Sequence, residues 1–173
     1  MKTLMRSLAG LTALAVLAAG LAAQDVSLGG KKAKTPSGWK EEAPANQMRY
    51  AQFKLPKVAG DDADAELVVF KGLGGSADAN IDRWKGSFAK GVEAKITEYS
   101  GPLGKGKMID ATGTYLYKSQ PFNPNAKAEE KPGYSMLGLH VEGDAVYHIR
   151  LTGPAKTVAK HREAFEGWLK SFQ

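Results

Sequence analysis

Tyr134-Ser135-Met136-Leu137-Gly138-Leu139-His140-Val141-Glu142 and Ala145-Val146-Tyr147-His148-Ile149-Arg150-Leu151-Thr152 flank Gly143-Asp144, and the reading of this stretch decides the fold. Both arms are rich in β-branched, aromatic and apolar residues, and a Gly-Asp pair between two such runs is a hairpin signal. A two-residue loop would pair Glu142 with Ala145, Val141 with Val146, His140 with Tyr147 and Leu139 with His148. In that register Met136, Tyr147, Ile149 and Leu151 share one face, and Leu137, Leu139, Val141 and Val146 the other. A hairpin that is apolar on both faces must be covered on both sides.

The covers are legible on either side of it. Downstream, Pro154 suits a first helical turn, and Val158, His161, Phe165, Trp168 or Leu169, and Phe172 repeat at helical spacing. Upstream, Gly72, Gly74 and Gly75 break the chain and Ser76 stands as an N-cap, with Asp78 in the first turn of a helix to about Ala89 and Gly91 as its stop. Its stripe Ile81, Trp84 and Phe88 predicts packing on a sheet, with Trp84 against Leu67 or Val69. Strands are expected at 47–55, 66–70, 92–99 and 108–117, the third and fourth separated by a glycine-rich turn, 101–106. Residues 119–132, with Pro121, Phe122, Pro124, Pro132 and Glu129-Glu130-Lys131, read as a long irregular segment, mobile rather than a lid. The expected fold is α+β: a largely antiparallel sheet of about six strands flanked by two helices.

Residues 1–23 read as a secretory signal: Lys2 and Arg6 precede an uncharged run ending in small residues, with cleavage after Ala22 or Ala23. The run is too short for a membrane span, and the chain contains no cysteine that a lipid could acylate. Residues 24–38, polar and without apolar period, read as a flexible leader, and 39–173 as a single domain stabilised without disulfides. The localisation expected is periplasmic or extracellular. Lys31, Lys32 and Lys34 cluster in the leader, as a solvated tether or an anionic-surface contact. The net charge is +6, falling to +4 once Lys2 and Arg6 leave, and the basic residues are scattered among acids, which argues against nucleic acid as a partner.

The segment Ala65-Glu66-Leu67-Val68-Val69-Phe70, then Gly74-Gly75-Ser76, Asn80, Arg83-Trp84 and Phe88, resembles an uncharacterised family of exported bacterial proteins with a Gly-Gly-Ser, Asn, Arg-Trp signature. The endings Gly133 to Gly138, Leu151-Thr152-Gly153-Pro154, Thr157-Val158, Phe165 and Ser171-Phe172 look like that family's closing hairpin and helix. The order of elements is also similar to PsbP-like α/β/α sandwich proteins. That resemblance implies a binding or assembly factor rather than a catalyst, and carries over no catalytic residue.

Among local features, the loop Lys71-Gly72-Leu73-Gly74-Gly75-Ser76 leads from a strand into a helix. Its backbone N–H groups would suit a phosphate or carboxylate, although glycines also serve a tight turn, and neither a Walker nor a dinucleotide pattern is complete. Asn80 and Arg83 share a helix face near it. They form either a ligand clamp or scaffolding, with Asn80 bonding the loop backbone and Arg83 paired to a carboxylate. The candidate ligand-binding residues are therefore Gly74, Gly75, Ser76, Asn80 and Arg83, for an anion at the turn aided by Lys71.

In the expected register His140 and His148 project from opposite faces and His161 lies on a helix, so no shared metal site is expected, and no cofactor. Asp61-Asp62 and Glu129-Glu130 lie in polar loops as solvated charge. The expected function is a non-catalytic binding or accessory protein of the cell envelope, with an envelope protein or small anionic ligand as partner. The alternatives are a small hydrolase using His140 and a carboxylate, and a weak polyanion or anionic-membrane-surface binder.

Overall fold

The computed structural model describes residues 25–119, 123 and 125–173. The expected signal 1–23, and Pro121, Phe122 and Pro124, lie outside the described residues. The elements are β1 (Asp25–Leu28), β2 (Lys31–Lys34), β3 (Lys40–Glu42), β4 (Arg49–Leu55), β5 (Ala65–Lys71), α1 (Ala77–Lys85), β6 (Glu93–Gly101), β7 (Gly104–Tyr117), β8 (Glu129–Glu142), β9 (Val146–Pro154) and α2 (Ala155–Lys170). The last seven strands in chain order, β3 to β9, make one antiparallel sheet in the order β3-β4-β5-β9-β8-β7-β6. One helix lies on each face. The fold is the expected α+β sandwich, with seven strands in the sheet where about six were expected, and a separate β1-β2 hairpin.

The central hairpin forms in a different register. Glu142 pairs with Val146, His140 with His148, Gly138 with Arg150 and Leu137 with Leu151, leaving a three-residue loop. A two-residue primed turn needs positive φ at its first or at both central positions, and neither Gly143 nor Asp144 has it. Shifting one arm by one residue moves all of its side chains to the other face. Leu137, Leu139, Val141, Tyr147, Ile149 and Leu151 therefore all face α2, together with Phe53, Leu55, Leu67 and Val69 of β4 and β5. Val158, Phe165, Trp168 and Leu169 of α2 close this core. Each such side chain contributes about 1.5–3 kcal/mol on burial. Asp61 also differs from its expected solvated role: its Oδ2 accepts from Thr157 N (2.9 Å) and Thr157 Oγ1 (2.6 Å), supplying the cap that Pro154 cannot give α2.

The opposite face carries a smaller cluster of Ile81, Trp84, Phe88, Ile109, Ala111 and Met136. Trp84 is buried as expected, but not against Leu67 or Val69, which point to the α2 face. It lies on Gly138, where an added Cβ would stand 2.8 Å from its ring, and meets His148 edge-on at 5.6 Å. α1 is also shorter than expected. Gly86 caps it through its N–H to Asp82 O, and residues 87–89 then pair with β7 through Leu116 N to Ser87 O and Ala89 N to Thr114 O, both 2.8 Å. Phe88 is thus buried from a β-bridge opposite Tyr115, and Gly91 lies beyond the helix.

Two expected loops are ordered structure. The leader forms the β1-β2 hairpin, with Val26, Leu28 and Ala33 in the α2-side core. Gly29 N donates to Tyr147 Oη (2.7 Å), and Lys32 exchanges backbone bonds with Gln173 (2.8 and 3.1 Å). Residues 129–132 belong to β8, where Glu129, Glu130 and Lys131 pair with Tyr117, Leu116 and Tyr115. Pro132 and Gly133 (φ 68°) sit at a bulge, the place in a ladder where a residue lacking N–H is tolerated. Likewise β6 and β7 run through most of the expected 101–106 turn, since Ser100 and Gly101 pair with Lys105 and Gly104.

Candidate functional site

The residues singled out for an anion at the turn do converge at the start of α1. Ser76 Oγ accepts from Ala79 N (3.2 Å), as an N-cap should. Asn80, 1% exposed, directs Nδ2 at the carbonyls of Gly74 (3.4 Å), Gly75 (3.2 Å) and Ser76 (2.9 Å), while its Oδ1 accepts from Arg83 Nη2. Gly75 holds φ at 98°, and a Cβ there would meet Asn80 Nδ2 at 3.1 Å. Asn80 therefore does bond the loop backbone, whereas Arg83 pairs with an amide oxygen, and with no carboxylate among the described residues. The helix dipole is already met by Asp78, which is joined to Lys107 Nζ at 2.5 Å.

The register places His140 and His148 side by side on the α1 face, a pairing that the assumed two-residue loop concealed. His140 Nδ1 lies 2.9 Å from His148 Nε2, and His140 Nε2 lies 2.9 Å from Glu142 Oε1. A carboxylate only accepts, so His140 Nε2 carries hydrogen, and a single hydrogen is shared between His140 Nδ1 and His148 Nε2. His148 Nδ1 is left buried with no partner. Both rings are sealed, His140 at 0% and His148 at 2% exposure. Burial, and then the neighbouring His140, Arg83 and Arg150, push the His148 pKa down to about 4. His161 bonds Pro56 O at 2.9 Å, far from this pair in the fold. No group of three metal-ligating residues occurs among the described residues.

Beside the histidines the α1 face becomes polar. Arg150 stands in mid-sheet between Val68 and Gly138, its guanidinium 5.2 Å over the Phe70 ring. Among the described residues it makes no ion pair or side-chain hydrogen bond. Burial, with Arg83 and Arg49 as like-charged neighbours, holds its pKa below the usual arginine value, while Tyr115 opposes the shift; a guanidinium stays charged regardless. Arg49 Nη1 bonds Gln52 Oε1 (2.8 Å) and Glu66 Oε1 (2.7 Å), and its Nε is buried without a partner. Tyr115 stacks on Tyr134 with ring centroids 6.2 Å apart, and burial raises its pKa. These arginines carried no local motif. Strand alternation alone sets Arg150 on the face of His148, but only the register assigns that face to α1 and clears it of the aliphatic residues of β8.

No protein-family model matches the chain, and no curated protein does. Among solved structures, the solution structure of cyanobacterial PsbP (CyanoP) from Synechocystis sp. PCC 6803 matches 92% of this chain and 96% of its own, with 13% identity and a TM-score of 0.47. No helix among the described residues is long and apolar enough to cross a membrane.

Proposed function

We propose that the chain is an exported, non-catalytic binding or accessory protein of the cell envelope, meeting a partner protein or a small anionic ligand on the part of the sheet that α1 leaves uncovered. The observation that carries this reading is the unequal covering of the two faces. The α2 face is sealed into one core by α2 and the β1-β2 hairpin. On the other, α1 is nine residues long and lies over β7 and β8, while β3, β4 and β5 present a bonded polar layer that includes Lys54, Gln52, Glu42 and Arg49. Side chains already held in place meet a partner at lower entropic cost than free ones.

The hydrolase alternative meets half of its condition, because His140 has an acid at 2.9 Å. A general base must also touch the proton it removes, and both imidazoles are sealed, which favours binding over catalysis. The polyanion alternative has the exposed Lys32 and Lys34 of β2 in its favour, and predicts binding that falls steeply with added salt.

A photo-crosslinking residue placed at Lys54, exposed on the polar face, and separately at Lys160, exposed on α2, tests the reading in the envelope fraction. The expected result is a discrete adduct from position 54 and none from position 160. Adducts from 160 alone, or identical patterns from both, would contradict it.

A further inference from the structure

We infer that Arg49, Arg83 and Arg150 form a binding site for a small ligand carrying phosphate or carboxylate groups, on the α1 face beside the helix. The inference rests on the binding reading above and locates its ligand. Strand pairing sets Arg49 beside Phe70 and Arg150 beside Val68 on the α1 face, with the Arg150 guanidinium over the Phe70 ring, and the nearby carboxylate of Glu66 is already bonded to Arg49. A guanidinium offers five N–H donors, and that of Arg150 is half-buried. Arg150 spends none of its donors on the described residues. Its contact is with the Phe70 ring face, which holds the guanidinium by cation–π attraction and leaves its N–H groups for an acceptor arriving at the α1 face.

Arg49 Nε, on the same face, also lacks a partner among the described residues. A neutral ligand would leave the excess positive charge uncompensated, whereas an oxyanion takes paired N–H bonds from planar guanidinium edges. Arg83 is fixed by Asn80, so the residues expected at the turn contribute by holding one wall of this site. The anion site moves from the glycine amides to the sheet.

Isothermal titration of the mature chain at low ionic strength with inorganic phosphate and with citrate tests the site, and vesicles of anionic phospholipid separate a lipid headgroup from a free anion as its source. Binding of phosphate or citrate is expected, with Arg150→Gln weakening it about tenfold or more and Arg150→Lys less, while Lys160→Gln, exposed on α2, changes it less than about twofold. Arg83 is exposed, so Arg83→Gln keeps the test decisive if Arg150→Gln does not fold. No binding at millimolar anion and none to vesicles, or binding that survives both arginine substitutions, would overturn the site. Such a result with crosslinking from position 54 intact would remove the anion site and leave the partner surface standing.

Discussion

His140 and His148 meet because each occupies the same rung of the β8–β9 ladder, and burial makes His148 a source of pH-dependent stability. The charged groups around them are Glu142 on the same strand, Lys107 across β7–β8, Arg83 on α1 and Arg150 on β9. The folded His148 refuses a proton until about pH 4, whereas the unfolded chain accepts one near 6.5. Its contribution is therefore complete above about pH 6.5 and is lost as pH falls through the interval to about 4, by about 3 kcal/mol. Denaturant unfolding of the wild type and His148→Gln should show the gap between them shrinking by that order from pH 7 to pH 4. Parallel curves would mean that the folded His148 titrates normally. At the same scale, Gly138→Ala would drive a methyl into Trp84 and Ile109, at 2.8 and 3.0 Å, and should cost about 1–3 kcal/mol in the same assay.

At the scale of elements, the strands and helices were legible wherever apolar periodicity ran unbroken, as in β5 and α2. Their ends were not. The stripe Ile81, Trp84, Phe88 continues past Gly86 only because Phe88 re-enters the same cluster from a β-bridge, which helical spacing cannot distinguish. The leader was missed for a different reason. Gly29 and Gly30, both with positive φ, form the two-residue turn that joins β1 and β2, and Val26, Leu28 and Ala33 alternate around it. Four lysine and aspartate positions in two four-residue strands masked that pattern. Leu28 is fully buried, so Leu28→Ala should cost about 2–5 kcal/mol, and amides of β1 and β2 should exchange as slowly as those of β3. A leader that merely tethers would show neither effect.

For the whole molecule, the need to cover both sheet faces followed from sequence alone, while the identity of each face depended on a single residue of register. The expected loop placed His140 and His148 on opposite faces. The observed one brings them together and gathers the aliphatic residues of the hairpin under α2, leaving His148 and Arg150 on the α1 face. The smaller cluster under α1 hangs on Trp84, and Trp84→Ala should cost about 3–5 kcal/mol by chemical denaturation, an effect below about 1 kcal/mol placing the ring outside the core. The candidate residues at the turn, Arg83 among them, were legible because glycines and an N-cap announce themselves locally, whereas Arg49 and Arg150 lie on β4 and β9, which only the fold sets on the α1 face. The most direct measurement is an NMR titration of the protein with citrate and phosphate at low ionic strength, following the Nε–Hε signals of Arg49, Arg83 and Arg150 beside the amides of Gly74, Gly75 and Ser76. Saturable shifts at the arginine signals of Arg49 and Arg150, larger than any at the glycine amides, are the predicted result. Shifts confined to Gly74, Gly75 and Ser76, or none at millimolar anion, would contradict it.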